Sequence, residues 1–434
     1  MFWFFPHLCR ASRGATGCGV TASAFPSVGC PVRQLDTHPR PSAVVIQRCR
    51  MPGPRLSAAR FMLAGVVSAA LVLGAPFIGQ LRSSLRSAFP GYYVTIVLAA
   101  IGVTVAAGLI AALARIRERR AARYGALAAA PGIAAAYAMW SATGNAEVDA
   151  VQRFHFVEYG LVTLLFYRAW RPIGDTAILI LPVLAGLLVG TLEEWFQWFI
   201  PGRVGEVNDI FLNLVAIACG LLFSLALDPP ERLEPRVAPG SRRLMGAVAA
   251  LVLLAFAAFF HTVHLGHLIA DDEVGTFGSR FTAARLAELA ADRAARWRAD
   301  PPVAFHRLSR EDQYMTEGVS HVQRRNVAWT EGDAAAAWAE NRILEQYYEP
   351  VLDTPSYISR AGHRWPAEQR ADAERRAEGF VRGSYVSDAY PYRLFTWPRI
   401  QYWAIVGLAA AGLLWPWIAA RRRVVPPRPS AAVH

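Results

Sequence analysis

The sequence predicts an all-α, polytopic membrane helix bundle of about eight spans, with a small, mostly helical extracytoplasmic domain between the seventh and the eighth. Three observations predict it. Of 434 residues, 54% are hydrophobic and only 18% charged, against roughly 25% charged in a soluble globular protein. Apolar runs close to the ~20 residues that cross a hydrocarbon core recur along the chain. The arginines gather in short blocks between those runs, and the blocks alternate between rich and poor.

The formal net charge of +12 rests entirely on arginine, because the chain contains no lysine. Basic blocks that separate apolar runs orient a membrane protein and do not line a groove for a polyanion, so nucleic acid is excluded as a partner. Residues 1–60, rich in Arg, Pro, Gly and Ser and without periodicity, read as a disordered tail or as sequence upstream of a start at Met51. Cys9, Cys18, Cys30 and Cys49 in this segment follow no zinc spacing, and Cys219 stands alone in an apolar run.

The expected spans, in order, are Phe61–Gln80, Tyr92–Leu113, Gly125–Trp140, Phe154–Trp170, Thr176–Phe199, Ile210–Leu227, Leu244–His264 and Ile400–Ala420. They divide the chain into a membrane domain over 61–264, an outer domain over 266–398, a last span over 400–420 and a tail over 421–434. The third run, alanine-rich and holding Pro131, is the weakest. Arginine placement retains it. With eight spans, Arg55 and Arg60, Arg115 to Arg123, Arg168 and Arg171, Arg232 to Arg243 and Arg421 to Arg423 share one side. Positive residues stay inside, so both termini are expected in the cytoplasm of a cell whose inner membrane the chain crosses. Residues 266–398 then lie outside.

Within the outer domain, Phe281–Arg298 places Leu286, Leu289, Arg293 and Trp297 at helical spacing. Ser309 with Asp312, and Thr330 with Asp333, read as helix starts, and Trp365-Pro366 opens a further helix with Glu368 in its first turn. His321, Arg324, Arg325, Asn326, Glu340, Asn341 and Glu345 read as solvated helix faces.

Ionisable residues inside spans are costly, and each is a functional candidate. His155, Glu158 and Tyr159 fall at i, i+3 and i+4 at the start of the fourth run. Glu193, Glu194 and Gln197 close the fifth; Arg203 follows Pro201-Gly202, and Asp209 and Asn213 open the sixth. In the eight-span topology all nine sit at the same outer depth. Their bland account is a hydrogen-bonded pin that holds three helices together. The sharper one is an anion site, in which Arg203 supplies a guanidinium fork and His155 a proton near neutral pH. His261, His264 and Asp271, at the outer end of the seventh run, are weak metal-ligand candidates, and an interfacial helix end accounts for them as well.

The string His155-x2-Glu158-Tyr159, Glu193-Glu194-x2-Gln197, Pro201-Gly202-Arg203, Asp209-x3-Asn213 and Gly220 resembles the VanZ-like family over about residues 150–227. Two positions depart from it: Glu193 where aspartate is common, and Ala216 where a glycine usually follows the asparagine, which is expected to loosen packing of the sixth span. The resemblance implies a cell-envelope membrane protein linked to glycopeptide susceptibility, with no cofactor. Membrane lipid and a lipid-linked cell-wall intermediate are its expected partners. Two other functions remain in play: a non-catalytic scaffold whose outer domain binds a partner, and an intramembrane hydrolase built on Glu193-Glu194 and Phe260-x3-His264.

Overall fold

The computed structural model describes residues 56–200, 205–231, 233–299, 313–356, 358–379, 382–389 and 393–422. The tail over 1–55, the Pro201–Val204 stretch and the Ser309/Asp312 helix start therefore lie outside the described residues.

The protein is an all-α membrane helix bundle. Its first seven helices are α1 (Ala58–Ala88), α2 (Tyr93–Arg115), α3 (Arg120–Trp140), α4 (Ala146–Trp170), α5 (Ala177–Gln197), α6 (Val207–Leu227) and α7 (Pro239–Val263). By length and composition, six helices among the described residues can cross a membrane: α1, α2, α5, α6, α7 and the last helix, which begins at Arg399. Eight runs were expected. The two that fall short, α3 and α4, have 21 and 25 residues, so length is not the reason. Both carry charge. α3 opens on Arg120 and Arg123, and α4 holds Glu147, Asp149, Arg153, Glu158 and Arg168.

α4 hides that polarity by position, packing against α1, α2, α5 and α6, while α3 packs on α6. Its start is set by Asn145, whose side chain accepts from the amides of Glu147 and Val148, two turns before the apolar run begins. α2 has the opposite character: up to its last residue, Arg115, it carries no charge, and it buries only Tyr93 and Ala112. A helix apolar all round with so little covered by protein needs lipid around it. α1 continues past the expected end at Gln80 to Ala88, and its Arg86 reaches Glu147 at 3.2 Å.

Small residues set the inner helix spacing. At Gly220 of α6, an added Cβ would lie 2.8 Å from the Gly160 Cα and 3.0 Å from the Thr163 Cβ of α4. At Gly186 of α5 it would lie 2.9 Å from Ile217. Ala216, expected to loosen α6, is instead fully buried in a cluster with Tyr159, Val162, Val189 and Ile217. Its methyl fills the space that a glycine would leave open.

After α7 comes a feature that the helical expectation missed, an antiparallel hairpin of β1 (His267–Asp271) and β2 (Gly275–Ser279). Its turn is held by Asp271, whose Oδ1 accepts from the amides of Glu273 and Val274. Gly275 then takes φ +98°, and an added Cβ would lie 2.5 Å from the Tyr385 carbonyl oxygen, so a side chain has no room. Helices α8 (Ala283–Ala299), α9 (Gln313–Glu331), α10 (Ala334–Tyr347), α11 (Glu349–Leu352) and α12 (Ala367–Arg376) follow. α8 to α11 share a core of their own, in which Ile269 and Phe277 of the hairpin meet Leu286, Val319, Val322, Ile343, Leu344 and Val351, and α12 packs by Ala373 on Trp338 of α10. The cap of α10 is Asp333, which accepts from the Ala336 amide, whereas Thr330 still belongs to α9 and bonds the Asn326 carbonyl.

The segment returns beside its origin. The Gly266 amide donates to the Phe395 carbonyl and the Phe395 amide to the His264 carbonyl. The last helix, α13 (Arg399–Arg422), then packs along α7, with the Tyr402 hydroxyl donating to the Ala257 carbonyl at 2.8 Å.

Candidate functional site

The polar residues of α4, α5 and α6 meet where the last two turns of α5 pass the start of α6. On α4 the i, i+4 spacing stacks the His155 ring parallel to Tyr159, with centroids 6.1 Å apart and 7° between planes. The fully buried Tyr159 hydroxyl crosses to α5 and donates to Glu193. Gln197, one turn on, gives its amide to the Glu193 Oε1 at 3.1 Å and to the Glu194 Oε1 at 3.3 Å. Tyr159, Glu193, Gln197 and Glu194 thus form one hydrogen-bonded chain, and none of the four exceeds 6% exposure.

Asn213 approaches from α6. Its carboxamide lies against Gly190, where an added Cβ would sit 3.1 Å from Nδ2 and 3.3 Å from the Tyr159 ring. Glycine at 190 is what lets the Asn213 amide and the Tyr159 ring share one small space. Asn213 is fully buried, yet neither its Nδ2 nor its Oδ1 has a hydrogen-bond partner among the described residues. The buried Thr191 hydroxyl and the Trp195 indole N–H are in the same position. Glu158 of α4 and Asp209 of α6 are half-buried. Arg203 lies outside the described residues.

Sequence reasoning missed two residues here. Gly190 is one. The other is Gly205, where a Cβ would stand 2.0 Å from the Glu194 carbonyl oxygen. Only glycine lets the connection from α5 return that close to the end of its own helix. Both stand as glycines within or beside the polar string, which is their only signal in the sequence.

The weak metal candidates are used separately. His261 Nδ1 accepts from the Trp403 indole at 3.1 Å, and His264 Nδ1 meets the Arg393 carbonyl at 2.8 Å. Asp271 holds its turn and accepts from Gln346 and Tyr347. Among the described residues, no group of three His, Cys, Asp or Glu side chains could hold a metal.

Of the polar residues expected to be solvated, His321, Arg325, Glu340 and Asn341 are buried, while Arg324, Asn326 and Glu345 are half-buried. Glu340 accepts from Tyr385 and Ser387 and meets His321, each at 2.6 Å. Arg325 donates to Asn341 and to the His363 carbonyl and lies 4.6 Å over the Trp365 ring; burial pulls its guanidinium down to about 10. Glu317 takes Ser279, the Arg280 amide, Tyr348 and Gln313, and burial still raises its carboxyl above the usual range. Paired side chains of this kind hold α9 and α10 to the hairpin and the following loops.

Fold and site together define a helical membrane protein with a buried polar cluster shared by three consecutive helices. Residues 119–228 match the VanZ/LLP1 family model, so this stretch is VanZ-like and carries the whole cluster. The match starts earlier than the expected 150 and takes in α3, whose Tyr137 ring packs near Phe156 of α4 and Phe211 of α6. The C-terminal segment is outside the match. No curated protein and no solved structure matches the chain.

Proposed function

We propose that this VanZ-like membrane protein binds, through the cluster around Asn213, an anionic group of a lipid-linked or peptidoglycan-related molecule at the outer face of the inner membrane. One observation carries the reading. A buried carboxamide with both hydrogen-bonding atoms unpartnered among the described residues costs about 1–3 kcal/mol, and a guest that bonds it recovers that loss. Asn213 offers an N–H and a C=O beside a string of carboxylates already engaged by Tyr159 and Gln197. Such a string orients donors and leaves them little freedom.

Orientation is inferred from charge. Arg60, Arg115, Arg168, Arg236, Arg242 and Arg243 belong to one end of the bundle and the polar cluster to the other. Positive residues remain cytoplasmic, which puts both termini inside and residues 266–398 outside. The scaffold reading applies to that outer segment, because its buried ionisable groups are consumed by internal bonds.

Asn213→Leu tests the proposal, since leucine keeps the shape and removes both polar atoms. The variant is expected to match wild type in detergent melting temperature, or exceed it, while cells that depend on the protein lose its effect on glycopeptide susceptibility. Unchanged susceptibility with folded protein would remove Asn213 from function.

A further inference from the structure

At the far end of α4 from the polar cluster lies a cavity of about 520 Å³, lined by Arg60, Leu63, Arg115, Leu165, Arg168, Leu227 and Asp228. It is a second place where charge converges. His155 and Arg168 are 13 positions apart on one helix, so the cavity is roughly 20 Å along the bundle from the first site. Its three guanidiniums come from α1, α2 and α4.

Among the described residues none of these arginines has a carboxylate within ion-pair distance. Arg60 donates to the Arg168 carbonyl at 3.1 Å, and Arg115 has no side-chain hydrogen bond to any described residue. The single acidic wall residue, Asp228, is taken by Arg171 at 3.2 Å, and the Tyr167 hydroxyl holds its backbone carbonyl. Arg123, at the same end, is instead engaged in capping α6, on the Ala226 and Leu227 carbonyls at 2.7 and 2.9 Å. Orientation alone requires arginines near the interface, but it does not require three of them around one hollow with their charge left uncompensated.

We propose that this cavity binds a phosphate-bearing anion, the leucines receiving apolar atoms and the arginines receiving phosphate oxygens. Guanidinium groups match phosphate bidentately, and basic pockets between membrane helices take anionic headgroups. A lipid headgroup and a free phosphate ion present the same oxygens; the leucine wall suits the lipid. This site is independent of the Asn213 cluster and of any function assigned there.

The test uses the purified full chain in detergent and reads thermal stability and bound ligand by native mass spectrometry. The probes are phosphatidylglycerol, phosphatidylcholine and inorganic phosphate. Phosphatidylglycerol is expected to raise the melting temperature and remain bound, and phosphatidylcholine to do neither. Each arginine lost should weaken phosphatidylglycerol about fivefold. Arg115→Gln is the cleanest variant, because Arg115 makes no bond that the fold needs; Arg60→Gln/Arg115→Gln/Arg168→Gln is the strong one. An Arg236→Gln/Arg242→Gln/Arg243→Gln protein controls for net charge. Loss of the effect in the cavity variants but not in the control supports the site with a lipid as ligand. The same pattern with inorganic phosphate alone supports the site with a soluble source. Equal effects in cavity and control variants, or no response to either anion, overturn the proposal.

Discussion

The Tyr159 hydroxyl donates to Glu193 where neither side chain meets water, so its removal leaves a buried carboxylate short of a donor. Tyr159→Phe is expected to cost about 1–3 kcal/mol, read as a lower melting temperature in detergent. Glycines give a sharper contrast. Gly205→Ala forces a methyl onto the Glu194 carbonyl oxygen and should destabilise by roughly 1–3 kcal/mol, whereas Gly102→Ala meets nothing within 4 Å and should be neutral or slightly stabilising. Equal melting temperatures for the two alanine variants would show that the connection after α5 yields without cost. The sequence made the polar side chains legible, because an ionisable group in an apolar run stands out. It left Gly190 and Gly205 unread, since a glycine's role is set by what its missing Cβ would strike, and that belongs to the packing.

Helix and hairpin elements were legible to different degrees for physical reasons. Apolar runs marked α1 to α7 and α13, although for α4 the run began only at Phe154 and its charged first two turns read as loop. The β1–β2 hairpin escaped because five-residue strands carry too little periodicity beside histidine and glycine. Burial of α9 and α10 escaped for another reason. His321, Arg325 and Glu340 have the composition of a solvated face, and burial is offset only by the His321–Glu340 pair and the bonds from Arg325 to Asn341 and the His363 carbonyl. One consequence is pH dependence in this segment. Burial first, and then the nearby Arg325 charge, hold His363 at about 4, below the ordinary ~6.5. Between those values the unfolded chain binds a proton that the fold refuses. Stability therefore falls as pH drops through 6.5 towards 4, by on the order of 3 kcal/mol at the low end. Glu317, raised by burial, acts with the opposite sign, its contribution waning as pH rises above the ordinary carboxylate value. Tryptophan-detected melting of wild type and His363→Asn between pH 4 and 7 checks this: the variant's profile should be the flatter one.

For the molecule as a whole, the arginine pattern, the VanZ-like stretch over 119–228 and the separate core of the C-terminal segment make one arrangement. The polar cluster lies near one end of the bundle and the arginine-lined cavity near the other. The topology that follows is checked by single cysteines at 235 and 355 in a cysteine-free background. An impermeant reagent on intact spheroplasts should label 355 and spare 235, and the reverse pattern would invert every side assignment made here. What the cluster does is tested most directly by binding. Detergent-purified protein, wild type and Asn213→Leu, is incubated with a bacterial lipid extract, and the retained lipids are identified by mass spectrometry. The account predicts that wild type retains an anionic lipid-linked species which Asn213→Leu, equally folded, does not. Identical retained lipids in the two proteins would contradict it and leave the cluster a pin between helices.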